Sequence, residues 1–474
     1  MQRRSIIAPE QAKYSQALVW LEEVERRHSL LTLEIAGVRI WQIIRARIFD
    51  HVLKSREVVL ERESRSFALG ERIAMRLRAI LRDPSTVMPI GGSLERLTAG
   101  LLEPLTRLQS RRLLRKPESA AVLVSRFNRL INGHYSLTAE IEARADCIIL
   151  TKPRFANSLR DRSILIGDIE RAAKRLQIDR REQDGLAQVD ELARILHSEF
   201  ALEEDAANAM LRAEIKKFLR TERFLAGLLA QISPETVHLC WNAIYFPLVS
   251  AAKKAGIRTI EYQHGTITAY HCHYSYREAP PMPYLPDEIR FFGPVWHEQA
   301  HIPAGVDCVD AGAPHLRKLL DDHTTVPRQE NLVLVVSQTV VGLHLFQFTV
   351  EVARLRCDLE FVFKLHPAER YQDLASYVDA MPSNLRIMPG GGDTYRLMAQ
   401  ASYQMGVSST TLVEGFAFGN RTVVVALASC EYMENEIERG HATLAQTPKE
   451  AASLLSEATP LCDDVSLYFS NLAK

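Results

Sequence analysis

The stretch Phe361-Val-Phe-Lys-Leu-His366-Pro367 is a short apolar run that ends in a histidine and a proline. Proline has no backbone N–H and cannot continue a strand ladder, so the stretch predicts a buried strand with His366 exposed at its carboxyl end. Helix-like segments at 346–356 and 410–418 separate it from similar apolar runs. These runs lie at 332–337 (LVLVVS), 385–388, 403–407 and 422–427 (TVVVAL). Strands that alternate with helices predict a parallel sheet with helices on both faces.

A second series of strands precedes this one in the chain. Its apolar runs lie at 119–125 (SAAVLVS), 147–151 (CIILT), 237–241, 259–263, 288–292 and 306–311. Charged, Ala- and Leu-rich segments at 169–177 and 187–231 predict helices. Two such series predict an α/β fold of two Rossmann-like doubly wound domains facing a cleft, with a helical N-terminal extension. We place the boundaries at 1–117, 118–315 and 316–474.

Composition excludes several classes of protein. The 474 residues contain 58 Lys+Arg and 58 Asp+Glu, and a chain with no net charge is not expected to have nucleic acid as its main partner. No apolar stretch is long enough for a membrane span, and the N-terminus does not resemble a signal peptide. The seven cysteines form no CxxC pair, which is typical of free thiols in a reducing compartment. We therefore expect a cytoplasmic protein.

Residues 72–116 are basic, with ten Arg or Lys against three acidic residues. A basic amphipathic stretch can lie on an anionic membrane surface, which predicts a peripheral contact with the inner face of the membrane. Alternatively, the segment packs on the main body and keeps its arginines in water. Pro84 and Pro104 interrupt any continuous face, which favours the second interpretation.

A hydroxyl-rich turn follows the predicted strand 403–407. Ser408, Ser409, Thr410 and Thr411 begin an apolar helix, and a helix N-terminus offers unpaired N–H groups and a partial positive charge to a phosphate. Glu414, one turn further on, could reach a ribose diol. The alternative is an ordinary Ser/Thr N-cap with an incidental glutamate. His366 ends a strand of the same predicted domain, and the pairing of the two features favours phosphate binding. GxxxxGK[ST] and GxGxxG signatures are absent.

Another polar patch follows the strand 259–263. It contains Glu261, Gln263, His264 and Gly265, and His271 and His273 follow further along the chain. The histidine spacing matches no standard zinc pattern, so we expect no metal site. Such side chains donate and accept hydrogen bonds and suit sugar hydroxyls, and His264 or Glu261 could be the general base. Gly265 allows a close backbone approach or a positive φ angle.

A third polar loop follows the first strand of the earlier series. It contains Asn132 and His134, which we assign with Gln263 and Gly265 to acceptor binding. An ordinary solvated loop is the alternative.

Together these residues resemble bacterial surface-polysaccharide glycosyltransferases of the GT-B type. The resemblance rests on 364–367 (KLHP), 406–419, 262–265 (YQHG) and the leader-like 35–45. The HP and Ser/Thr pair is similar to that of sialyl-, polysialyl- and Kdo-transferases, and also to that of glycerol-phosphate transferases. In those families the histidine and the Ser/Thr cluster contact the donor's phosphate. The acidic pair followed by glycine that supplies the base in sialyltransferases is missing, with Gln183-Asp184-Gly185 the nearest match.

The resemblance implies a glycosyltransferase (EC 2.4 class) that moves a sugar from a nucleotide-activated donor, with CMP-sugar favoured, to a surface polysaccharide or lipid-linked glycan. It assigns the donor nucleotide and phosphate to Lys364, His366, Pro367, Ser408, Ser409, Thr410, Thr411 and Glu414. Catalytic roles are expected for His264, Glu261 and His366. Fixed donors can stabilise the leaving phosphate, so no cofactor or metal is required beyond the nucleotide-sugar substrate. Three alternatives stay open: a CDP-polyol phosphotransferase, a UDP-sugar epimerase-like enzyme, and a non-catalytic partner in capsule assembly.

Overall fold

The computed structural model describes residues 13–55, 104, 107–117, 120–125, 137–152, 162–369, 371–374, 381–390 and 393–472. The described residues divide into two compact units. The first unit contains residues 17–52 together with those between 95 and 311, and the second contains 312–472 together with 13–16 and 53–55. Each unit has its own parallel sheet.

The sheet of the first unit has seven strands among the described residues, in the order β3-β2-β1-β4-β5-β6-β7. Neighbouring strands are parallel throughout, and β1 lies between β2 and β4. The chain order reverses at the β1/β4 pair, which is the topological switch point. The strands are β1 (Val122–Ser125), β2 (Cys147–Thr151), β3 (Ser163–Leu165), β4 (Thr236–Cys240), β5 (Arg258–Tyr262), β6 (Glu288–Phe291) and β7 (Asp307–Asp310).

Helices of the first unit surround this sheet. They are α1 (Lys13–Arg27), α2 (Ile40–Ser55), α3 (Ala139–Glu142), α4 (Ile166–Ala173), α5 (Arg180–Gly185), α6 (Val189–Phe200), α7 (Glu204–Ile232), α8 (Phe246–Lys254) and α9 (Pro294–Glu298). The helical segment predicted over 187–231 is found as two helices, α6 and α7, because Ala201 adopts a left-handed conformation (φ 54°) that ends α6. The Glu203 side chain then caps α7 by accepting from the N–H groups of Asp205 and Ala206. Helix α7 packs on the sheet through Leu225 and Ile232.

A buried ion pair fastens α1 and α2 to the loop that follows β5. The Arg45 Nε atom donates to Glu25 Oε1 over 2.6 Å, and both side chains are almost fully buried. Trp41 Nε1 donates to the same carboxylate, over 2.6 Å. Arg45 also donates to the backbone carbonyls of Cys272 and Ser275, each over 2.7 Å. The N-terminal helices are therefore tied to the loop that carries the histidines.

The sheet of the second unit has six parallel strands among the described residues, in the order β10-β9-β8-β11-β12-β13. Its switch point lies between β8 and β11. The strands are β8 (Gln329–Val336), β9 (Glu360–Lys364), β10 (Leu385–Met388), β11 (Ala401–Gly406), β12 (Arg421–Val425) and β13 (Thr443–Ala445). The helices are α10 (Pro314–Asp322), α11 (Gly342–Leu355), α12 (Thr394–Gln400), α13 (Thr410–Ala417), α14 (Glu434–Glu438) and α15 (Pro448–Leu454).

The predicted α/β fold class is confirmed: the described residues form two Rossmann-like doubly wound parallel sheets and a helical N-terminal region. Strands β9 and β11 are buried along almost their whole length, as expected where helices cover both faces of a parallel sheet. Ligands of such sheets bind beyond the carboxyl ends of the strands, at the switch point. No helix within the described residues is both long and apolar enough to cross a membrane.

Candidate functional site

Polar side chains of the second unit meet at its switch point, after β8, β9 and β11. We call this set, Ser337, Gln338, His366, Glu369 and Ser408, the switch-point cluster. The backbone N–H of Ser408 donates to Gln338 Oε1 over 2.9 Å, and Gln338 Nε2 donates to Ser408 Oγ over 3.2 Å. Because Gln338 follows β8 and Ser408 follows β11, this pair joins the two strands that flank the switch point.

The same cluster reaches the end of β9 through Glu369. Ser337 Oγ donates to Glu369 Oε1 over 3.1 Å, and the backbone N–H of His366 donates to Glu369 Oε2 over 2.7 Å. Since Ser337 and Gln338 are adjacent in the chain, these contacts connect His366 to Ser408. The structure thus places the turn of the HP histidine and the hydroxyl-rich turn beside the adjacent residues Ser337 and Gln338, at one edge of the sheet.

Helix α13 begins in the hydroxyl-rich turn. Ser409 is its N-cap, and the Ser409 side chain accepts from the N–H of Thr411 over 3.3 Å. Ser408 Oγ also shares a hydrogen bond of 2.8 Å with Ser429 Oγ, which follows β12. The predicted N-cap and the predicted phosphate contact are compatible, because a hydroxyl cap adds no charge to the positive end of the helix dipole.

The ring of His366 is half-buried and has a defined tautomer. Its Nδ1 accepts a hydrogen bond of 3.1 Å from the backbone N–H of Ala368. An Nδ1 that accepts from an amide places the ring hydrogen of a neutral imidazole on Nε2. Nε2 is therefore a hydrogen-bond donor, which is the property that a phosphate oxygen needs from this residue.

Three further residues with predicted donor contacts lie on the same unit. Lys364 is buried, and its Nζ donates to the carbonyl of Pro389 over 2.7 Å, which links β9 to the end of β10. Pro367 is exposed, and Glu414 is 9% exposed within α13. Contacts of Lys364, Pro367 and Glu414 with phosphate or ribose stay predictions.

Aromatic and histidine side chains gather in the first unit after β4 and β5. We call Trp241, His264, His271, His273 and Tyr274 the histidine cluster. The Trp241 and His264 rings stack with centroids 5.5 Å apart, and His273 meets Trp241 edge-on at 6.0 Å. The ring centroids of His271 and Tyr274 lie 4.8 Å apart. The ends of neighbouring parallel strands thus bring the predicted patch after β5 against Trp241.

Glu261 lies beneath this cluster and is fully buried. The Tyr274 hydroxyl and the backbone N–H of Asn242 (3.1 Å) donate to its Oε1, whereas Oε2 has no hydrogen-bond partner among the described residues. Burial raises the pKa of Glu261 to about 7, against these hydrogen bonds, which lower it. Trp241 has a left-handed backbone (φ 72°), an unfavourable conformation for a bulky residue.

Burial makes the imidazole of His264 hard to protonate. Loss of solvent, together with the neighbouring His273, lowers the pKa of His264 to about 4, so the ring is neutral at physiological pH. Its Nδ1 has no hydrogen-bond partner among the residues that the structure describes. A neutral ring nitrogen can accept a hydrogen bond from a ligand hydroxyl.

The four predicted acceptor residues have different outcomes. Gln263 is buried, where it accepts from the N–H of Phe292 and donates to the Gly265 carbonyl, each over 2.8 Å. The positive φ that we considered for Gly265 is not found, because Gln263 holds this turn through its side chain. Asn132 and His134 lie outside the described residues. Acceptor contacts of all four stay predictions.

Sequence reasoning missed several members of these clusters. Gln338 comes directly after the predicted strand 332–337 and Trp241 is the last residue of the predicted strand 237–241, positions that could have identified them. Glu369, Tyr274 and Ser429 carry no comparable local signal. Among the described residues, no group of three or more His, Cys, Asp or Glu side chains could hold a metal ion.

Comparisons with known proteins give likenesses in structure and none in sequence. No family model and no curated protein matches the chain. The glycotransferase of kitacinnamycin is 14% identical, over 74% of this chain and 92% of its own, with a TM-score of 0.44. MurG of Acinetobacter baumannii is 12% identical, over 76% and 96%, with a TM-score of 0.42. A putative UDP-N-acetylglucosamine 2-epimerase from Listeria monocytogenes is 13% identical, over 73% and 93%, with a TM-score of 0.42.

Proposed function

We propose that the protein is a glycosyltransferase that moves a sugar from a nucleotide-activated donor, a CMP-sugar, to a surface glycan. The observation that carries the proposal is the Gln338–Ser408 pair, which presents the start of α13 at the switch point beside the network of His366. The resemblance of the HP and Ser/Thr motifs to those of sialyl- and Kdo-transferases supports a CMP-linked donor.

The switch-point cluster has the donors that a leaving phosphate requires. The N-terminal end of α13 supplies the positive end of a helix dipole, and Ser408, Thr410 and Thr411 add hydroxyl groups. His366 Nε2 supplies an N–H donor. Groups that are already oriented stabilise charge at no cost of reorganisation when the bond to the sugar breaks.

The histidine cluster of the first unit has the properties of an acceptor site. An acceptor hydroxyl would attack the anomeric carbon, the bond from that carbon to the phosphate oxygen would break, and the hydroxyl proton would pass to the base. His264 is neutral at physiological pH and can accept that proton, whereas Glu261 is fully buried beneath the cluster. We therefore assign the base role to His264 and a positioning role to Glu261 through Tyr274.

A basic surface supports a contact with an anionic membrane, where a lipid-linked glycan would lie. Arg111, Arg112 and Arg115 are exposed on the helical segment 107–115, as is Lys116 directly after it, and Leu108 of the same segment is 68% exposed. Cationic and apolar side chains on one short segment favour binding to an anionic interface.

Nucleotide binding tests the proposal directly. The melting temperature of the full chain is measured with CMP, UMP, CDP and UDP, since a ligand at about a hundred times its Kd adds roughly 2.7 kcal/mol of stability. We expect stabilisation by a nucleotide, and a loss of most of that shift in His366→Ala. The matched control is His197→Ala, an exposed histidine of the first unit, which should keep the shift.

Turnover tests the reaction type. We expect nucleotide release from a sugar donor to depend on an added glycan acceptor, and His366→Ala to lower turnover far more than the melting temperature. Release without acceptor would favour an epimerase-like enzyme. Unchanged turnover in folded His366→Ala would overturn the assignment of the phosphate site.

A further inference from the structure

The carboxylate of Glu369 lies against the N-terminal end of α11, the 14-residue helix that follows β8. Ser337 Oγ donates to its Oε1 and the His366 N–H donates to its Oε2, over 3.1 and 2.7 Å. A Cβ atom added to Gly342, the first residue of α11, would collide with Glu369 Oε1. Glycine at this position therefore leaves room for the carboxylate at the start of the helix.

Two helices begin beside the switch point of this sheet, and the groups at their N-terminal ends differ in charge. Helix α11 follows β8 and receives a negatively charged group from the chain itself. Helix α13 follows β11 and is capped by the uncharged hydroxyl of Ser409. Since a negative charge is favourable at the positive end of a helix dipole, the Glu369 carboxylate beside Gly342 offsets that end of α11, whereas α13 has an uncharged cap.

The same turn holds both the carboxylate and the HP histidine. The N–H of Glu369 donates to the carbonyl of His366 over 2.8 Å, while the N–H of His366 donates to the Glu369 carboxylate. These reciprocal bonds keep the negative charge a short distance from the phosphate-binding histidine. A ligand that places one phosphate at His366 and α13 and a second one toward α11 would meet this charge.

We propose that Glu369 determines donor specificity by admitting nucleotides with one phosphate and opposing those with two. This inference rests on the proposed function, because it concerns the phosphate site of that function. A second phosphate would lie beside a like charge and would find the positive end of α11 already neutralised, and such repulsion is a common means of rejecting a wrong ligand. The CDP-polyol and UDP-sugar alternatives both require a diphosphate, so the position of Glu369 disfavours them.

The test is the ratio of Kd values within each pair of nucleotides that share a base, CMP with CDP and UMP with UDP, measured by calorimetry. The wild-type chain should bind the monophosphate at least about tenfold more tightly. Glu369→Gln removes the charge and keeps one acceptor oxygen for the His366 N–H, while the Ser337 hydroxyl can rotate to accept from the new amide group. The variant should bring the ratio close to one, chiefly through tighter binding of the diphosphate.

Matched variants separate charge from general perturbation. Glu351→Gln changes an exposed glutamate in the middle of α11 and should keep the wild-type ratio. Gly342→Ala should displace the carboxylate from α11 and shift the ratio in the same direction as Glu369→Gln, which also provides a second variant if Glu369→Gln does not fold.

The possible failures are distinguishable. If folded Glu369→Gln keeps the wild-type ratio, the role of Glu369 is wrong and the proposed function stands. If the wild-type chain binds nucleotides but prefers the diphosphate, the role of Glu369 and the CMP-linked donor are both wrong, while transfer from a nucleotide-activated sugar stands. If the wild-type chain binds no nucleotide at millimolar concentration, the proposed function and this inference fail together.

Discussion

The backbone N–H of Ser408 donates to the side chain of Gln338 over 2.9 Å, although the two residues are 70 positions apart in the chain. The contact fastens the turn that starts α13 to the end of β8. Ser408 in turn bonds Ser429, which follows β12, so the end of a third strand joins the same network. The start of α13 is therefore held from two sides before any ligand binds.

Replacing Gln338 should loosen the phosphate site more than the fold. Gln338→Ala removes both hydrogen bonds to Ser408, and we expect a stability loss of about 1–2 kcal/mol. Nucleotide affinity should fall about five- to tenfold because the turn is no longer held in place. Calorimetry with the best-bound nucleotide measures this. Gln329→Ala, at the exposed start of β8, is the control. Unchanged affinity in Gln338→Ala would contradict the role of the pair.

Adding one methyl group to α13 should destabilise the second unit. A Cβ on Gly415 would collide with the buried side chain of Gln404, whose Nε2 donates to the Leu412 carbonyl and to Thr422 Oγ1. Gly415→Ala should cost about 2–4 kcal/mol, since it displaces a buried, hydrogen-bonded amide. The melting temperature measures the loss.

Gly227→Ala is the matched control for Gly415→Ala. Gly227 lies inside α7, and nothing lies within 4 Å of the position that its Cβ would take. Alanine should stabilise α7 by about 0.5–1 kcal/mol, because glycine is the less favourable residue in a helix interior. A melting temperature that falls equally in both variants would show that the contact with Gln404 does not decide the outcome.

The buried ion pair between α1 and α2 should be essential to the first unit. Arg45→Ala leaves the Glu25 carboxylate buried without its charged partner, and we expect a loss of about 3–5 kcal/mol. Arg47 lies on the same helix, pairs with Glu214 over 2.8 Å and has a side chain that is 57% exposed. Arg47→Ala should cost less than about 1 kcal/mol. Similar losses in the two variants, read from thermal unfolding, would contradict a special role for burial.

Glu261 should make the folded chain less stable as the pH rises. Burial raises the pKa of Glu261 from 4.5 to about 7, so the folded state prefers the protonated form. Its contribution to stability is fully present below pH 4.5 and is lost as the pH rises through 7, by about 3 kcal/mol in all. Glu261→Gln mimics the protonated form. The melting temperature of the variant relative to wild type should therefore increase between pH 5 and pH 8.

Glu288→Gln is the control, because the pH dependence of its stability relative to wild type should have the opposite sign to that of Glu261→Gln. Burial raises the pKa of Glu288, but the hydrogen bond and charge of Arg290 and then Arg258 outweigh burial and lower it overall. The stability that Glu288 contributes is present above its unfolded pKa and lost below it. The melting temperature of Glu288→Gln relative to that of wild type should thus decrease as the pH rises from acidic values. Because each variant is compared with wild type at the same pH, the contributions of the buried histidines to the pH dependence of stability cancel.

Most of the fold could be predicted from short apolar runs. The strands that sequence patterns miss, β3 and β13, have only three residues each, too few to show a hydrophobic pattern. The division of 187–231 into α6 and α7 depends on the left-handed Ala201, a residue that usually favours helix. Local propensity does not reveal such a break, because alanine itself favours helix.

The sequence pointed to candidate site residues only where polar side chains come directly after a predicted strand. His366 and the turn from Ser408 to Thr411 satisfy that rule, and in the structure both lie beside the residues that follow β8. Glu369 and Tyr274 do not follow it, and their roles arise from contacts across 32 and 13 residues of chain.

The sequence by itself determined the alternation of buried strands and helices, and the hydroxyl cap of α13, because hydrophobic periodicity and capping depend on neighbours within a few residues. Only the tertiary structure decided that β8 lies between β9 and β11, which brings Gln338, Glu369 and Ser408 together. It also decided that Glu261 is buried and protonated up to about pH 7. Strand order and desolvation are properties of the packed sheet, since they depend on residues that are distant in the chain.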